Sequence, residues 1–369
     1  MGAQAPGLGD VNYTEDTGIE VRSMDTVSAF QIQKSTTVRD AMRRLDQTAR
    51  KILFVCEDGV LLAALTDGDI RRHLLHGGGL EDQVILAANR NPRTVRDWAE
   101  AAQLLQAEDY LAVPVVGADG SVLDIVFASE DSAPPPPRLG LPVVIMAGGK
   151  GARLDPYTRV LPKPLIPVGD YPIIEHIMRQ FESYGCPAFH VIVNYKKQLM
   201  KAYFNESSQH YDVTWYDEDR PLGTGGGLYL LKETLKETFF LTNCDVLLHS
   251  DYADMLKFHR DHGNAITMIG VYKTLTIPYG VVDIGTNGVI EAMREKPELS
   301  FLTNTGIYIV EPQVLEDIPD YTVLSFPEII EMQRQKGNKV AVYPVSEEEW
   351  MDMGQLTELE DMRQRLYGK

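Results

Sequence analysis

Short apolar runs alternate with amphipathic stretches through the second half of the chain. The five residues at 143–147 are all apolar, which is typical of a strand buried on both faces of a parallel sheet. The same alternation predicts a helix at about 173–184, a strand at 190–194, a helix at 199–204, a strand at 213–216, a helix at 227–236 and a strand at 238–242. This order indicates a doubly wound α/β sheet, in which ligands bind beyond the carboxyl ends of the strands.

The first 130 residues contain an internal repeat. The sequence Thr-Val-Arg-Asp at 37–40 recurs at 94–97, and each copy precedes a stretch with helical apolar spacing. Two β-rich runs then flank an Asp-Gly turn, at 58–59 in the first copy and at 119–120 in the second. Because a repeat of this size is too short for two independent domains, we expect the two copies to pack on each other.

Four consecutive prolines at 134–137 mark the boundary between these two parts. Such a run neither continues a helix nor fits inside a sheet, and it favours an extended spacer. The sequence therefore divides into a flexible amino-terminal segment at 1–26, a repeat module at 27–131, a proline-rich linker at 132–140 and an α/β domain at 141–369.

The chain of 369 residues is strongly acidic, with 35 lysines and arginines against 53 aspartates and glutamates and a formal net charge of −18. A surface of this charge repels nucleic acid and anionic lipid, so any anion must be bound by a local site. The three cysteines, Cys56, Cys186 and Cys244, lack CxxC spacing, which argues against a disulfide framework or a cysteine zinc site. No apolar run is long enough to cross a membrane. We therefore expect a soluble, cytoplasmic protein.

A glycine-rich loop follows the apolar strand at 143–147. Its candidate anion-binding residues are Ala147, Gly148, Gly149, Gly151, Arg153 and Lys163. Glycines allow backbone N–H groups to approach an anion closely, and the two cations can neutralise a polyphosphate. The loop is not a Walker A loop, because no Gly-Lys-Ser/Thr follows, and Leu154 stands where the dinucleotide fingerprint requires a third glycine.

In this loop and the motifs after it, the chain resembles the sugar-1-phosphate nucleotidylyltransferases over nearly all of 141–369. Six more motifs occur in family order: Pro-Leu-Gly-Thr-Gly-Gly at 221–226, Asn-Cys-Asp at 243–245, Tyr-Gly-Val at 279–281, Glu-Lys-Pro at 295–297, Asn-Thr-Gly-Ile-Tyr at 304–308 and Trp-Met-Asp-Met-Gly at 350–354. The resemblance implies a doubly wound, Rossmann-like mixed sheet of the GT-A-like nucleotidyltransferase type.

The resemblance also implies the roles of individual residues. The catalytic residues would be Arg153, Lys163 and Asp245. The nucleotide would contact Ala147, Gly148, Gly149, Gly151, Glu218, Gly223 and Thr224. The sugar phosphate would contact Tyr279, Gly280, Glu295, Lys296, Asn304 and Thr305. Mg²⁺, the expected cofactor, would be bound by Asp245 and Asp352, since it prefers hard oxygen ligands. A sugar-phosphate oxygen would attack the α-phosphorus of a nucleoside triphosphate in line, so catalysis would be mainly positioning and electrostatics.

Glu218, three residues before Pro221, predicts the base. Guanine presents two adjacent donors, N1–H and N2–H₂, and one carboxylate can accept from both, whereas uracil and thymine present a donor flanked by acceptors. The guanylyl members of the family resemble this chain in having Glu-x-x-Pro before Gly-Thr. We therefore expect GTP, with UTP, dTTP or CTP as the alternative. The expected sugar is glucosamine 1-phosphate, mannose 1-phosphate or a heptose 1-phosphate, in that order.

The repeat module resembles a tandem pair of α+β CBS (cystathionine-β-synthase-type) modules over about 30–130. In that family a Thr-x-x-Asp at a strand end holds the ribose of an adenine nucleotide. The first copy has this pattern at Thr66 and Asp69, whereas Phe127 and Glu130 stand at the matching positions of the second. The resemblance thus implies one adenine-nucleotide site, and the alternative is a packing or dimerisation module without a ligand. Asp67 and Asp69 also form the Asp-x-Asp pattern of glycosyltransferase metal sites, but here they close a repeat strand.

The sequence thus predicts an enzyme that makes a nucleotide sugar, with regulation by nucleotide binding at the repeat module. The competing hypothesis is an adenine-nucleotide sensor with an inactive transferase half. The intact set of Arg153, Lys163, Asp245 and Asp352 argues against it. We expect small-molecule substrates, no nucleic-acid or membrane partner, and a homo-oligomer.

Overall fold

The computed structural model describes residues 19–20, 27–48, 50–107, 110–128, 136–207 and 211–368. The predicted flexible segment at 1–26, apart from 19–20, lies outside the described residues. So do positions 129–135, which include Glu130 at the end of the predicted repeat module and the start of the predicted linker. The chain divides into two compact units, Met1–Pro134 and Pro135–Lys369. None of the helices in the described ranges is long and apolar enough to span a lipid bilayer.

The described residues of the first unit form two small sheets and three α-helices. Its elements are β1 (Ile19–Glu20), β2 (Gln31–Gln33), α1 (Val38–Thr48), β3 (Ile52–Glu57), β4 (Val60–Thr66), α2 (Asp67–Leu75), α3 (Trp98–Ala107), β5 (Ala112–Val116) and β6 (Val122–Ala128). One sheet has the order β2-β3-β4 and the other the order β1-β6-β5. Strands β3 and β4 form one antiparallel hairpin, and β5 and β6 form the other.

Both copies of the repeat have a helix followed by such a hairpin. Each hairpin turns at a glycine with left-handed backbone, since φ is 81° at Gly59 and 83° at Gly120. Residues of both hairpins share one apolar core, in which the ring centroids of Phe30 and Phe127 are 4.7 Å apart. The two halves therefore pack on each other. Their identification as CBS modules stays a prediction.

The second unit is built on a sheet with helices on both faces. Its strands are β7 (Val143–Ala147), β8 (Pro167–Val168), β9 (Tyr171–Pro172), β10 (Ala188–Val193), β11 (Asp212–Asp217), β12 (Phe239–Asn243), β13 (Val246–Leu248), β14 (Ile266–Thr276), β15 (Val281–Ile284), β16 (Ile290–Arg294), β17 (Glu298–Val310), β18 (Val340–Val345) and β19 (Trp350–Asp352). Its α-helices are α4 (Tyr157–Val160), α5 (Ile173–Ser183), α6 (Lys197–Glu206), α7 (Tyr252–His262), α8 (Gln313–Glu316), α9 (Phe326–Gln335) and α10 (Leu356–Tyr367).

The main sheet has seven strands in the order β11-β10-β7-β12-β17-β14-β18. Strand β17 runs antiparallel to both of its neighbours, and the other strand pairs of this sheet are parallel. The predicted α/β fold with a mixed sheet is therefore confirmed.

Alternate residues of the central strand β7 enter two different cores. Val143 and Ile145 pack with residues of α5, α7 and α10 on one face of the sheet. Val144 and Met146 pack with residues of α8 and α9 on the other. Burial on both faces explains why β7 is continuously apolar instead of alternating with polar residues.

The helix predicted at 227–236 is wrong in type and extent. The structure has a 3-10 helix at Gly226–Leu231 instead. Gly225 and Gly226 both donate their backbone N–H groups to the carbonyl oxygen of Leu324, at 2.9 and 3.0 Å, which anchors the start of the segment to a distant loop. Three consecutive glycines also disfavour an α-helix, because each costs about 1 kcal/mol relative to alanine.

The parallel strands β7, β10 and β12 end at the same edge of the sheet, at Ala147, Val193 and Asn243. The glycine-rich loop and the Asn-Cys-Asp segment follow the first and last of these ends. The topology therefore brings two of the predicted motifs to one edge.

Candidate active site

A cavity of about 430 Å³ opens at this edge of the second unit. It is lined by Met146, Gly148, Gly149, Gly151, Ala152, Arg153, Lys163, Glu218, Pro221, Leu222, Gly223, Thr224, Asn243, Cys244, Asp245 and Gly354. The predicted nucleotide and catalytic residues in this set come from four separate segments of the chain. The fold thus brings together most of the predicted nucleotide site, while Ala147 lies just behind it at the buried end of β7.

The three glycines of the first loop have different surroundings. A Cβ at Gly149 would meet no atom within 4 Å, so open space lies beside this backbone. A Cβ at Gly148 would lie 2.8 Å from Oε2 of Glu218. Gly151 has a left-handed φ of 64°, and a Cβ there would lie 3.0 Å from Cβ of Lys163. Packing therefore requires glycine at two positions, whereas at Gly149 the open space suits a closely approaching ligand.

Lys163 forms an ion pair with Asp245 inside the cavity. Both side chains are largely buried, with 10% of the lysine and 17% of the aspartate side chain exposed. Asp352 reaches the same place from β19, because β13 and β19 pair in a register that sets Val246 opposite Asp352. The backbone N–H of Met353 also donates to the carbonyl oxygen of Asp245 at 2.8 Å. The predicted pair of carboxylates is thus held together by strand pairing.

Burial raises the pKa of the Asp352 carboxyl to about 6, and the negative charge of Asp245 acts in the same direction. The positive charges of Lys163 and Arg153 lower this pKa and only partly offset the rise. The ionised carboxylate of Asp352 is therefore short of positive charge in the protein alone.

These two carboxylates fit a divalent cation. A cation between them would supply the charge that Asp352 lacks, and carboxylate oxygens are the ligands that Mg²⁺ prefers. No cluster of three or more histidine, cysteine, aspartate or glutamate side chains suited to a metal occurs among the described residues. Mg²⁺ bound by one or two carboxylates usually completes its shell with waters and substrate phosphates, which matches a site of two aspartates.

Glu218 is a buried carboxyl group in the wall of the cavity. It follows β11 and is only 4% exposed. Burial raises its pKa to about 7, and a hydrogen bond from the backbone N–H of Leu222 only partly offsets the rise. Its Oε1 has no hydrogen-bond partner among the described residues. A Cβ at Gly227 would lie 2.3 Å from this oxygen, so glycine is needed where the carboxyl group packs.

The second predicted nucleotide loop is held by the segment before α9. Gly223 has a φ of 82°, and a Cβ there would lie 2.4 Å from the carbonyl oxygen of Leu324. The hydroxyl of Thr224 accepts a hydrogen bond of 3.1 Å from the backbone N–H of Phe326. Both residues line the cavity, and these contacts fix the shape of its wall.

All six predicted sugar-phosphate residues lie outside the lining of the cavity, and four of them share one segment. Tyr279, Gly280, Glu295 and Lys296 belong to residues 275–301, which comprise the outer ends of β14 and β17 and the β15–β16 hairpin; we call this segment the exposed arm. Tyr279 is 75% exposed. A Cβ at Gly280 would lie 3.0 Å from Oε2 of Glu295, so these two predicted residues are neighbours.

Asn304 and Thr305 lie on β17 and bond within the protein. The side chain of Asn304 donates to Oη of Tyr308 at 2.6 Å and accepts from the backbone N–H of Gly306 at 2.9 Å. The hydroxyl of Thr305 donates to the carbonyl oxygen of Ile269 at 2.8 Å, and the residue is 2% exposed. Thr305 therefore has a structural role here, whereas Asn304 is exposed.

The site also includes two asparagines that the sequence analysis did not assign to it. Asn194 follows β10, and its Nδ2 donates to the carbonyl oxygen of Glu218 at 2.9 Å. Asn243 ends β12 and lines the cavity, and a Cβ at Gly306 would lie 2.4 Å from its Nδ2. Both stand at the carboxyl ends of parallel strands, and that position was the signal that could have found them.

The first unit has a separate cavity of about 250 Å³ that includes Thr66 and Asp69 in its lining. These two side chains also bond to each other, with Oγ1 of Thr66 donating to Oδ2 of Asp69 at 2.6 Å, and they form a capping box at the start of α2. Arg72 donates to the other oxygen of Asp69 at 2.5 Å. The two residues that were predicted to bind a ribose thus cap a helix, and they also line a cavity.

Comparison with known proteins finds relatives of the second unit. A family model described as Nucleotidyl transferase matches residues 142–367. Mannose-1-phosphate guanyltransferases from Pichia angusta and Schizosaccharomyces pombe are 33% and 34% identical to this chain over 226 residues, which is 58% of this chain and 60% of each relative. The chain therefore spans about 60% of the length of these curated relatives. The crystal structure of HddC from Yersinia pseudotuberculosis is 22% identical, with a TM-score of 0.49 over 61% of this chain and 99% of that one.

Replacing Asp352 by asparagine is expected to stabilise the metal-free protein at high pH. The pKa of Asp352 is about 6 in the folded protein, against an ordinary value of 3.8, so the ionised side chain lowers the free energy of unfolding. This loss is complete well above pH 6 and small below pH 4. Asp352→Asn removes this cost, and we expect a gain in unfolding free energy about 2 kcal/mol larger at pH 8 than at pH 4.5.

The measurement is urea unfolding in the presence of a chelator at both pH values. Asp170→Asn, at an exposed aspartate of the same unit, is the control and should change stability little at either pH. A gain that is equal at the two pH values, or a loss at pH 8, would show that Asp352 is not a strained carboxylate.

Proposed function

Because this chain belongs to the nucleotidyl transferase family, we propose that its second unit transfers a guanylyl group from GTP to a sugar 1-phosphate and releases pyrophosphate. The observation that carries this proposal is Glu218, a buried carboxyl group in the cavity wall with one oxygen that has no hydrogen-bond partner in the part of the chain that the structure describes. A buried acceptor without a partner costs about 1–3 kcal/mol, which a donor from a ligand would relieve. The adjacent donors N1–H and N2–H₂ of guanine match a carboxylate in this position.

The triphosphate is proposed to lie along the glycine-rich loop. The open space beside Gly149 admits a phosphate to the backbone, and Arg153 and Lys163 line the same cavity. Their positive charges would offset the repulsion between two polyanionic substrates. Magnesium, when bound by Asp245 and Asp352, would add positive charge at the phosphate oxygens.

The proposed reaction is a single displacement. An oxygen of the sugar phosphate attacks the α-phosphorus of GTP, and the bond from that phosphorus to the oxygen bridging the β-phosphate breaks. Pyrophosphate leaves with the electron pair of that bond, and the products are the guanosine diphosphate sugar and pyrophosphate. No protein nucleophile takes part, so the residues act by positioning and charge.

Mannose 1-phosphate is the first sugar to test, because the curated relatives are named mannose-1-phosphate guanyltransferases. Glucosamine 1-phosphate and a heptose 1-phosphate are the alternatives. Glu295, Lys296 and Asn304 are the proposed contacts with the sugar phosphate. Mass spectrometry of the products from each sugar phosphate with GTP separates the three.

Glu218→Gln is expected to lower kcat/KM for GTP by about 10- to 100-fold, the 1–3 kcal/mol of a bidentate contact with a base. The amide keeps the size of the side chain but replaces one acceptor by a donor, so activity with UTP or dTTP should rise relative to GTP. Pyrophosphate release with GTP, UTP, dTTP, CTP and ATP measures both changes. A wild-type preference for a pyrimidine nucleotide would contradict the proposal.

The ionisation of Glu218 provides a second test of its role, with Glu218→Gln as the control. With a pKa of about 7, the carboxyl group of the free protein loses its proton as pH rises from 6 to 8. Only the ionised group can accept from both guanine donors, so the affinity for GTP should rise over this interval. Isothermal titration of GTP binding should show a larger rise in the wild type than in Glu218→Gln, because in the variant the terminal phosphate of GTP still titrates over this interval but Glu218 does not.

A pair of glycine variants tests the placement of the triphosphate. An alanine at Gly149 has open space, so Gly149→Ala should fold with wild-type stability while its methyl group blocks the phosphate and lowers kcat/KM at least ~10-fold. An alanine at Gly226 would lie 2.2 Å from the carbonyl oxygen of Thr322, so Gly226→Ala should unfold more easily by about 1–3 kcal/mol. Thermal unfolding and steady-state kinetics distinguish the two effects, and full activity in Gly149→Ala would refute this path for the phosphates.

We also propose that the 250 Å³ cavity of the first unit binds an adenine nucleotide and thereby regulates the transferase. Besides Thr66 and Asp69, its lining includes the cation of Arg93 and the aromatic rings of Phe54 and Tyr110, which suit a phosphate and a base. An adenine-nucleotide sensor with an inactive transferase remains the alternative to an enzyme, and absence of turnover with every triphosphate would favour it.

Asp69→Asn should weaken binding of AMP or ATP to the full chain at least ~10-fold. Asp97→Asn is the matched control, since Asp97 accepts from the backbone N–H of Glu100 at 2.9 Å at the start of α3 but does not line the cavity. Calorimetric titration of both variants measures the affinity, and steady-state rates with and without nucleotide measure regulation. Equal affinities in the two variants would exclude Asp69 from the site.

A further inference from the structure

A second cavity, of about 490 Å³, lies at the opposite edge of the main sheet from the candidate active site. Its lining includes Ala265 before β14, Glu311 after β17 and Lys339 before β18. Strand β17 ends beside the start of β12, because Val310 pairs with Phe239, whereas the candidate active site follows the end of β12. We call this space the rear cavity. Its volume lies within the range of ligand pockets, about 300–1,000 Å³.

Hydrogen bonds orient the buried polar groups of the rear cavity. Nε2 of His259 lies 3.0 Å from Oε1 of Glu311, and its Nδ1 lies 2.8 Å from Oγ1 of Thr267. Burial lowers the pKa of His259 and outweighs the opposing effect of Glu311, so the ring is neutral. Because a carboxylate only accepts, Nε2 carries the hydrogen, and Nδ1 accepts from the hydroxyl of Thr267. That hydroxyl then has only an acceptor left for Asn264, whose Nδ2 donates to it at 2.9 Å.

This orientation leaves a buried acceptor without a partner. Asn264 is 2% exposed, and its Oδ1 has no hydrogen-bond partner among the residues that the structure describes. Glu311 presents a second acceptor, because the bonds from His259 and Thr238 both fall on Oε1 and Oε2 takes part in neither. A buried acceptor lowers stability unless something donates to it. The rear cavity therefore suits a ligand that carries hydrogen-bond donors.

The remaining wall of the rear cavity is polar and fixed in place. Gln333 is 1% exposed, its Nε2 donates to Oδ2 of Asp317 at 2.8 Å, and its Oε1 accepts from Nδ2 of Asn338 at 2.6 Å. None of the described residues that line this cavity has a phenyl, phenol or indole ring on which a nucleobase could stack. Amide and carboxylate groups instead match the hydroxyl groups of a sugar, which both donate and accept.

Two cations give the described lining of the rear cavity a local positive charge. The guanidinium of Arg260 is exposed on α7 and forms no hydrogen bond or ion pair with the part of the chain that the structure describes. Nζ of Lys339 donates to the carbonyl oxygen of His262 at 2.8 Å, which uses one of its three N–H groups. Against these cations the described lining has one carboxylate, Glu311, although the chain carries a net charge of −18. Such a local excess attracts an anion.

We propose that the rear cavity binds a sugar phosphate, with hydroxyl groups at Asn264 and Glu311 and the phosphate at Arg260 and Lys339. The hydroxyl groups supply the donors that the two acceptors lack, and the phosphate matches the cations. A free amino acid also carries donors and an anion, but it would leave most of a 490 Å³ cavity empty. Because this cavity and the candidate active site lie at opposite edges of the sheet, the site does not depend on the proposed function.

Calorimetric titration of the full chain tests the site with three probes, mannose 6-phosphate, glucose 6-phosphate and fructose 6-phosphate. None carries the 1-phosphate that the proposed transfer requires, and we expect at least one to bind with a dissociation constant below about 1 mM. Arg260→Gln, at an exposed position, and Asn264→Ala should each weaken this binding at least ~10-fold. Lys257→Gln is the matched control, since Lys257 is 71% exposed on the same helix but does not line the cavity.

The parts of the ligand are separated by further titrations. The free sugar, inorganic phosphate and L-serine should each bind at least ~10-fold more weakly than the sugar phosphate, since each lacks half of the contacts. Phosphate or L-serine binding as tightly as the sugar phosphate would overturn the assignment of the ligand. Binding that Arg153→Gln abolishes and Arg260→Gln spares would place the ligand in the other cavity, and no binding of any probe would leave the rear cavity without a sugar phosphate; both results refute the proposal.

Cysteine labelling locates the ligand independently. The three native cysteines are buried, so a maleimide reports on an introduced one. Gln313→Cys, at an exposed residue in the lining, should react at least ~10-fold more slowly when the sugar phosphate is saturating, because reactivity requires access. Glu316→Cys, exposed on the same helix but outside the lining, should react at an unchanged rate. Equal rates with and without the ligand in both variants, or equal slowing in both, would contradict binding in the rear cavity.

Discussion

The second unit holds two carboxylates and a lysine together in one partly buried pocket, and much of its architecture serves this contact. Lys163 comes from the segment after α4, Asp245 from the turn after β12, and Asp352 from β19 near the end of the chain. Burial and the charge of Asp245 raise the pKa of Asp352 to about 6, so the arrangement is unfavourable for the protein alone. The pairing of β13 with β19 and the apolar cores on both sheet faces hold the charges in place. The two neighbouring carboxylates thus lower the stability of the folded protein at the place where the proposed reaction requires them.

The local distribution of charge indicates how an acidic chain would bind the two anionic substrates of the proposed reaction. The net charge of −18 is spread over the whole sequence, while Arg153 and Lys163 are concentrated in one cavity with the backbone amides of a glycine-rich loop. In that cavity Glu218 is buried, and burial raises its pKa to about 7. Local desolvation and local cations therefore govern the site more than the overall field does.

Much of this site could be predicted from the sequence, because its chemistry depends on residues in short motifs at strand ends. The apolar run of β7 and the order of strands and helices predicted the sheet. The glycine-rich loop and Glu218, which the sequence motifs predicted to contact the nucleotide, both line the cavity. Other features depend on contacts between distant segments, which no local pattern reports. The helix expected at 227–236 is a 3-10 helix because Leu324 accepts from Gly225 and Gly226.

The roles of other residues likewise depend on distant contacts. The hydroxyl of Thr305 has a structural role because it donates a hydrogen bond to the neighbouring strand β14. Its acceptor, the carbonyl oxygen of Ile269, is 36 positions earlier in the chain. The exposure of the arm is also invisible in sequence, since its alternating apolar residues look like those of any half-buried strand.

Direct transfer of GMP from GTP to a sugar phosphate is the central claim, and isotope labelling tests it most directly. Mannose 1-phosphate labelled with ¹⁸O in its phosphate is incubated with GTP, Mg²⁺ and the full chain, and the products are analysed by mass spectrometry. Single displacement predicts that the label appears in the nucleotide sugar and is absent from pyrophosphate. Label in pyrophosphate or free phosphate, or no nucleotide sugar from any of the candidate sugar phosphates, would contradict the account.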